Sequence, residues 1–202
     1  HNPAVYNGVK VFTEGGRDAT EQVTGALEAI IAALGDRPVA AMPYAEALQK
    51  KLVREINPFN DYIDAILSLT DAEAVKKAHL KIALDPMYGV GRTCLQTILL
   101  TERCEVEVIH DRHDTLFGGR LPSPSLQTLG SLSRFVVESG CDLGIATDGD
   151  ADRIGIIDEK GSFLHPNKIL VMLYYYLLTY RGWKGAAVRN NSTTCLLDRV
   201  AK

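Results

Sequence analysis

Three aspartates, Asp148, Asp150 and Asp152, occupy alternate positions in "GIATDGDADRIGII", residues 144–157, between two apolar runs. Two unit charges about 4 Å apart repel by roughly 4 kcal/mol at an effective dielectric near 20, so three ionised carboxylates in one short loop require a counter-charge. In an extended segment, side chains at i, i+2 and i+4 fall on one side of the backbone. Carboxylates converging there without histidine or cysteine suit a hard, oxygen-seeking cation such as Mg²⁺. The alternative is a solvated acidic hairpin tip, against which the apolar runs on both sides anchor the loop at a sheet edge. An EF-hand is rejected. D-x-D-x-D continues to Glu159 at the twelfth loop position, but Arg153 stands where the sharp turn needs glycine, and the flanks read as strands.

A second concentration of chemistry opens the chain. "HNPAVYNGVKVF" places His1, Asn2, a turn-forming Asn7-Gly8 and Lys10 within ten residues. Taken alone, Asn-Gly is only a turn signal and the lysine only an exposed strand residue. His110 and His113 have ligand-like H-x-x-H spacing but read as a loop-exposed pair, and His79 and His165 carry no signal.

The bulk composition narrows the possible functions. Hydrophobic residues make up 46% and charged residues 23% of 202, the balance of a soluble globular protein with room for a sizeable core. A net charge of −3 with scattered basic residues leaves no footprint for nucleic acid or an anionic membrane. Cys94, Cys104, Cys141 and Cys195 form no CxxC pair, which suits reduced thiols in a cytoplasmic protein. "ILVMLYYYLL" is ten residues long, about half a membrane span, and reads as a buried helix.

These residues need elements to position them. "YNGVKVF" reads as a strand, and Asp18 with Glu21 as a capping box opening a helix over 19–34. A further helix is expected over 43–57. "LKIAL" is a continuous apolar run of the buried parallel-strand type. Helix "TCLQTILLTE", strand "EVEVIH", a long loop with "FGGRLPSP", a helix over 125–139 and strand "DLGIAT" follow it. This alternation predicts an α/β fold, with a three-layer α/β/α middle domain around a mostly parallel sheet. "RIGIID" and "GSFLH" form an antiparallel excursion, after which a helix to Tyr180, a strand "GAAVRN" and a helical start at "TTCLLDRVAK" begin a new unit. Both ends look cut. The expected domains are 1–42, the tail of one α/β unit; 43–57, a linker or helix; 58–165, complete; and 166–202, the start of another.

Taken together, "HNP", "YNGVK", "DPMYGVGR", "FGGRLPSPS" and "DLGIATDGDADRIGIID" resemble the α-D-phosphohexomutase superfamily of phosphoglucomutases and phosphomannomutases. In that family the phosphoserine loop reads T-A-S-H-N-P, Y-N-G-x-K follows, and the metal loop is D-G-D-x-D-R. The resemblance spans nearly the whole chain. It implies phosphoryl transfer between C1 and C6 of a hexose phosphate through a phosphoserine and a bisphosphate. It implies Mg²⁺ held by Asp148, Asp150, Asp152 and the phosphoserine oxygen, Arg153 on phosphate, Lys10 binding phosphate or exchanging protons with the sugar hydroxyl, and His1 orienting the serine loop. The residue before His1, the sugar-recognition loop and the family's fourth domain are not in this sequence, so the chain alone is expected to be inactive. Glucose is the first expectation, with mannose or glucosamine as alternatives. Two other readings stand beside this one. A strand ending in D-x-D resembles haloacid-dehalogenase-type phosphotransferases, with Asp148 as nucleophile, although Ala-Asp-Arg follows where Gly-Thr is usual. The segment could also be a non-catalytic metal-binding or assembly module.

Overall fold

The computed structural model describes residues 3–6 and 8–201. The chain divides into two compact units, Val5–Pro58 and Phe59–Lys202, with Pro3 and Ala4 joining the second. In the smaller unit β1 (Phe12–Thr13) and β2 (Arg17–Asp18) form a short antiparallel hairpin, followed by α1 (Glu21–Leu34) and α2 (Tyr44–Gln49). The hairpin turns through Gly15 and Gly16 at φ 79° and 71°, a region glycine enters without steric cost. Asp18 pairs with Phe12 in this hairpin, so it does not cap α1. The cap position is Thr20, and its side chain makes no capping bond. The expected strand is reduced to Phe12–Thr13, and the expected helix over 43–57 ends at Gln49. No residue of α1 is buried, although Val23, Leu27, Ile30 and Ile31 follow a helical apolar spacing.

The larger unit is built on β3 (Lys81–Asp85), β4 (Glu105–Val108), β5 (Leu143–Thr147), β6 (Ile154–Asp158) and β7 (Phe163–Leu164). They form one sheet in the order β4-β3-β5-β6-β7. β3 pairs parallel with β4 and β5, while β6 pairs antiparallel with both β5 and β7. Only β6 reverses direction, so the mostly parallel sheet and its antiparallel excursion are as the sequence predicts. The helices of this unit are α3 (Phe59–Leu67), α4 (Ala72–Ala78), α5 (Gly91–Thr101), α6 (Gly130–Ser139), α7 (Pro166–Thr179) and α8 (Leu196–Val200).

Strand alternation explains the three layers. Ile82, Leu84, Ile145 and Ile156 point to one face, where they pack with Val75 of α4 and Leu95 and Leu99 of α5. Ala83, Ala146 and Ile157 point to the other and pack with Leu132 and Val136 of α6. The central strands are therefore covered on both sides, which is why "KIALD" and "LGIAT" read as continuous rather than alternating apolar runs. Gly144 is needed under α6, because a Cβ there would lie 2.8 Å from Val136. Two expectations fail beyond the sheet. Residues 185–190 are not a strand, and α7 has no buried residue despite its apolar composition. Among the described residues α7 packs against α8, a helix too short to cover its remaining sides. No helix among the described residues is long and apolar enough to cross a membrane.

This division of burial predicts a contrast in stability. Leu132 is 0% exposed, and Leu132→Ala should destabilise the fold by about 2–5 kcal/mol. Leu173 on α7 is 53% exposed, and Leu173→Ala should stay within about 0.5 kcal/mol of wild type. Denaturant unfolding of the two variants measures the difference.

Candidate functional site

The carboxyl ends of β3, β4 and β5 lie along one edge of the sheet because the three strands are parallel, and in such sheets ligands collect beyond this edge. Asp148 follows the last residue of β5 directly. The chain then turns sharply, with the Ala151 N–H donating to the Asp148 carbonyl at 3.1 Å and Ala151 itself at φ 62°. The turn, not strand alternation, brings the carboxylates together: Asp148, Asp150 and Asp152 each offer an oxygen within 4.8 Å of the others. The expected convergence is present, but the backbone that produces it is bent instead of extended.

The three carboxylates have unequal surroundings. Asp148 is 0% exposed, whereas Asp150 and Asp152 are exposed. The Arg153 N–H donates to Asp148 Oδ1 at 3.0 Å, and Asp148 Oδ2 receives no hydrogen bond. Burial pushes the Asp148 carboxyl above the usual carboxylate range, and Asp150 and Asp152 add to this against the Arg153 N–H. The Arg153 side chain provides the neighbouring positive charge, its Nε lying 3.8 Å from Asp148 Oδ2 and 3.8 Å from Asp152 Oδ1. A buried carboxylate oxygen without a hydrogen-bond donor, beside two exposed carboxylates, is an all-oxygen donor set. Mg²⁺ or Mn²⁺ fits it, with water able to complete the shell.

Neighbouring loops hold this turn closely. The Val90 N–H donates to the Gly149 carbonyl at 3.0 Å, and the Gly149 N–H donates to the Pro122 carbonyl at 3.3 Å. A Cβ on Gly89 would lie 2.5 Å from the Gly149 oxygen, so only glycine permits this approach. Gly91, the first residue of α5, meets Thr147 and Ala151, which puts the positive end of that helix against the acidic loop. "DPMYGVGR" and "FGGRLPSP" thus pack around the metal-loop candidate.

Asp148, Asp150, Asp152 and Arg153 are therefore one cluster. Lys10 is exposed in the smaller unit, and His1 lies outside the described residues. A nucleophile must reach its substrate, and a wholly buried Asp148 tied to its own loop does not suit the haloacid-dehalogenase reading. His110 is no loop-exposed histidine. Its Nδ1 sits 2.9 Å from Asp85 Oδ2, and Asp85 is 2% exposed. An aspartate closing the apolar run "KIAL" was the available sequence signal for this pair. His165 and His79 have local roles: His165 Nδ1 caps α7 by accepting from the Asn167 N–H at 3.2 Å, and His79 ends α4 at φ 49°.

Fold and loop together define an α/β/α domain with an acidic turn beyond the carboxyl ends of its parallel strands. Residues 60–161, half of the chain, match the model of phosphoglucomutase/phosphomannomutase, alpha/beta/alpha domain II. A phosphoglucomutase/phosphomannomutase of Thermococcus kodakarensis is 29% identical over the whole chain, which covers 43% of that relative. A phosphopentomutase of the same organism is 31% identical, again over the whole chain and 42% of the relative. Among solved structures, a putative phosphomannomutase from Thermus thermophilus superposes with a TM-score of 0.65 at 30% identity, over 71% of this chain and 33% of that one. The chain belongs to the phosphoglucomutase/phosphomannomutase family. It spans less than half the length of these curated relatives.

The raised Asp148 pKa sets a pH dependence for the metal-free protein. Between the ordinary 3.8 and the raised folded value, the folded state binds more protons than the unfolded state. Stability must therefore fall as pH rises through that interval. Asp148→Asn retains an acceptor for the Arg153 N–H and carries no charge to desolvate. Urea unfolding in chelator, from about pH 4 to about pH 8, should show wild type losing stability relative to Asp148→Asn as pH rises.

Proposed function

We propose that this chain is the metal-loop portion of a phosphohexomutase that interconverts hexose 1-phosphate and hexose 6-phosphate. The observation that carries the reading is the Asp148–Asp150–Asp152 cluster with Arg153 on it, at the ligand edge of a domain of this family. Asp148, Asp150 and Asp152 would hold a Mg²⁺-class cation, whose charge opposes the negative charge that builds up on a transferring phosphoryl group. Arg153 is 46% exposed at its side chain, and its planar, permanently charged fork is suited to phosphate oxygens. Lys10 exchanges a proton with the accepting sugar hydroxyl, and His1 orients the loop carrying the phosphoserine. The phosphoserine gives its phosphoryl group to the sugar phosphate. The resulting bisphosphate reorients and returns its other phosphoryl group to the serine.

Glucose phosphate is the first substrate to test, with mannose and glucosamine phosphates beside it. Relatives named for hexose and for pentose mutases match at 29% and 31% identity, so overall similarity does not choose the sugar. A cytoplasmic setting belongs to the same proposal and rests on four free cysteines.

A coupled assay of hexose 1-phosphate conversion tests the reading on the full-length protein that contains this chain. Turnover is expected, and Asp150→Asn should lower it roughly 10²-fold or more. The 202-residue chain alone should match the protein-free blank. Full turnover in Asp150→Asn would contradict the assigned role of the loop, and a full-length protein without mutase activity would favour a metal-binding or assembly module.

A further inference from the structure

We infer that Asp85 and His110 form a positioning pair that sets the shape of the aspartate turn; as a role in metal binding, this rests on the reading of Asp148–Asp152 given above. Asp85 closes β3 with both carboxylate oxygens engaged. The Met87 N–H donates to Oδ1 at 2.8 Å, and His110 Nδ1–H donates to Oδ2 at 2.9 Å. A buried carboxylate is tolerated only when so satisfied, and here its two bonds join different segments: the turn after β3 and the chain after β4. The His110 carbonyl accepts the Tyr88 N–H at 3.0 Å, and the His110 and Tyr88 rings lie 5.0 Å apart. Gly118 approaches the Tyr88 ring so closely that a Cβ would lie 2.5 Å from it.

These contacts hold a conformation the chain would otherwise avoid. Met87 and Tyr88 are both left-handed, at φ 49° and 62°, and His110 is at φ 50°. Such residues are sterically costly and persist only where their surroundings over-determine them. The strained turn leads directly to Gly89 and Val90, which press against Gly149 and hold its carbonyl. Gly149 joins Asp148 to Asp150, so the orientation of its peptide sets the relative direction of two of the three carboxylates. The coupling therefore runs from Asp85 and His110 through 87–90 to Gly149, by hydrogen bonds and close backbone contact throughout.

Amide hydrogen exchange on the chain, compared for wild type, His110→Asn, His110→Gln and His110→Ala, tests the pair. Asparagine places an N–H near the position of Nδ1, glutamine moves it away at similar polarity, and alanine removes it. Val90 and Arg153 donate the amides that report the turn, while Leu84 in β3 reports the core. In His110→Gln and His110→Ala, Val90 and Arg153 should exchange at least about tenfold faster relative to Leu84, and Mn²⁺ affinity should weaken roughly tenfold. His110→Asn should stay near wild type in both measurements. Should His110→Ala fail to fold, the Asn and Gln variants carry the same comparison. Uniform acceleration of all three amides, or equal behaviour of Asn and Gln, would overturn the inference. Selective acceleration in a protein whose wild type binds no Mn²⁺ would uphold the brace and defeat the metal reading.

Discussion

A carboxylate buried at the end of a sheet strand, with two more carboxylates one turn away, can stay ionised only if something opposes its charge. Asp148 is in that position. It is wholly buried, one of its oxygens is without a hydrogen bond, and Asp150 and Asp152 lie within reach of it. Arg153 opposes part of this charge from 3.8 Å, with a guanidinium that is itself about half exposed and therefore screened by solvent. A cation drawn to the three oxygens would relieve the repulsion more completely than a guanidinium held at that distance. This charge balance is what supports the proposal that the loop binds a divalent cation.

Much of the larger unit can be understood as support for this arrangement. β5 has to be covered on both faces for Asp148 to be buried, and α5 and α6 provide that cover across the pleat. The glycines around the loop are required by contact: Gly89 meets the Gly149 carbonyl, and Gly91 meets Thr147. Left-handed residues gather on the same rim, at Met87, Tyr88, His110, Phe117 and Ala151. Lys51, His79 and Arg103 are left-handed elsewhere, but the concentration of such residues on this rim fits a site whose geometry is fixed in advance rather than one that forms on demand.

The sequence made the aspartate cluster and the central strands legible because both follow short-range rules. "KIALD" and "LGIAT" are covered on both faces and so appear as unbroken apolar runs, and D-x-D-x-D is a composition no core tolerates. The bent turn at Ala151 was not legible, because alternate spacing suits an extended segment equally well. His110 was misjudged because its partner, Asp85, is 25 residues away and meets it only through parallel pairing of β3 with β4. Helix α7 was misjudged for a different reason. An apolar helix predicts burial only when other elements cover it, and the contacts of α7, with α8 foremost among them, leave none of its residues buried. The capping box failed because Asp18 serves a hairpin, a competing use of the same residue type at the same position.

Whether a divalent cation completes the aspartate turn can be read from thermal unfolding of the chain with increasing Mn²⁺ after chelator treatment. A ligand that binds only the folded state stabilises it by about 2.7 kcal/mol at a hundredfold excess over its dissociation constant. The wild-type midpoint should climb with Mn²⁺ concentration, and that of Asp150→Asn, whose substitution lies at an exposed position, should stay nearly constant. Identical responses from the two proteins, or none from either at millimolar Mn²⁺, would contradict it.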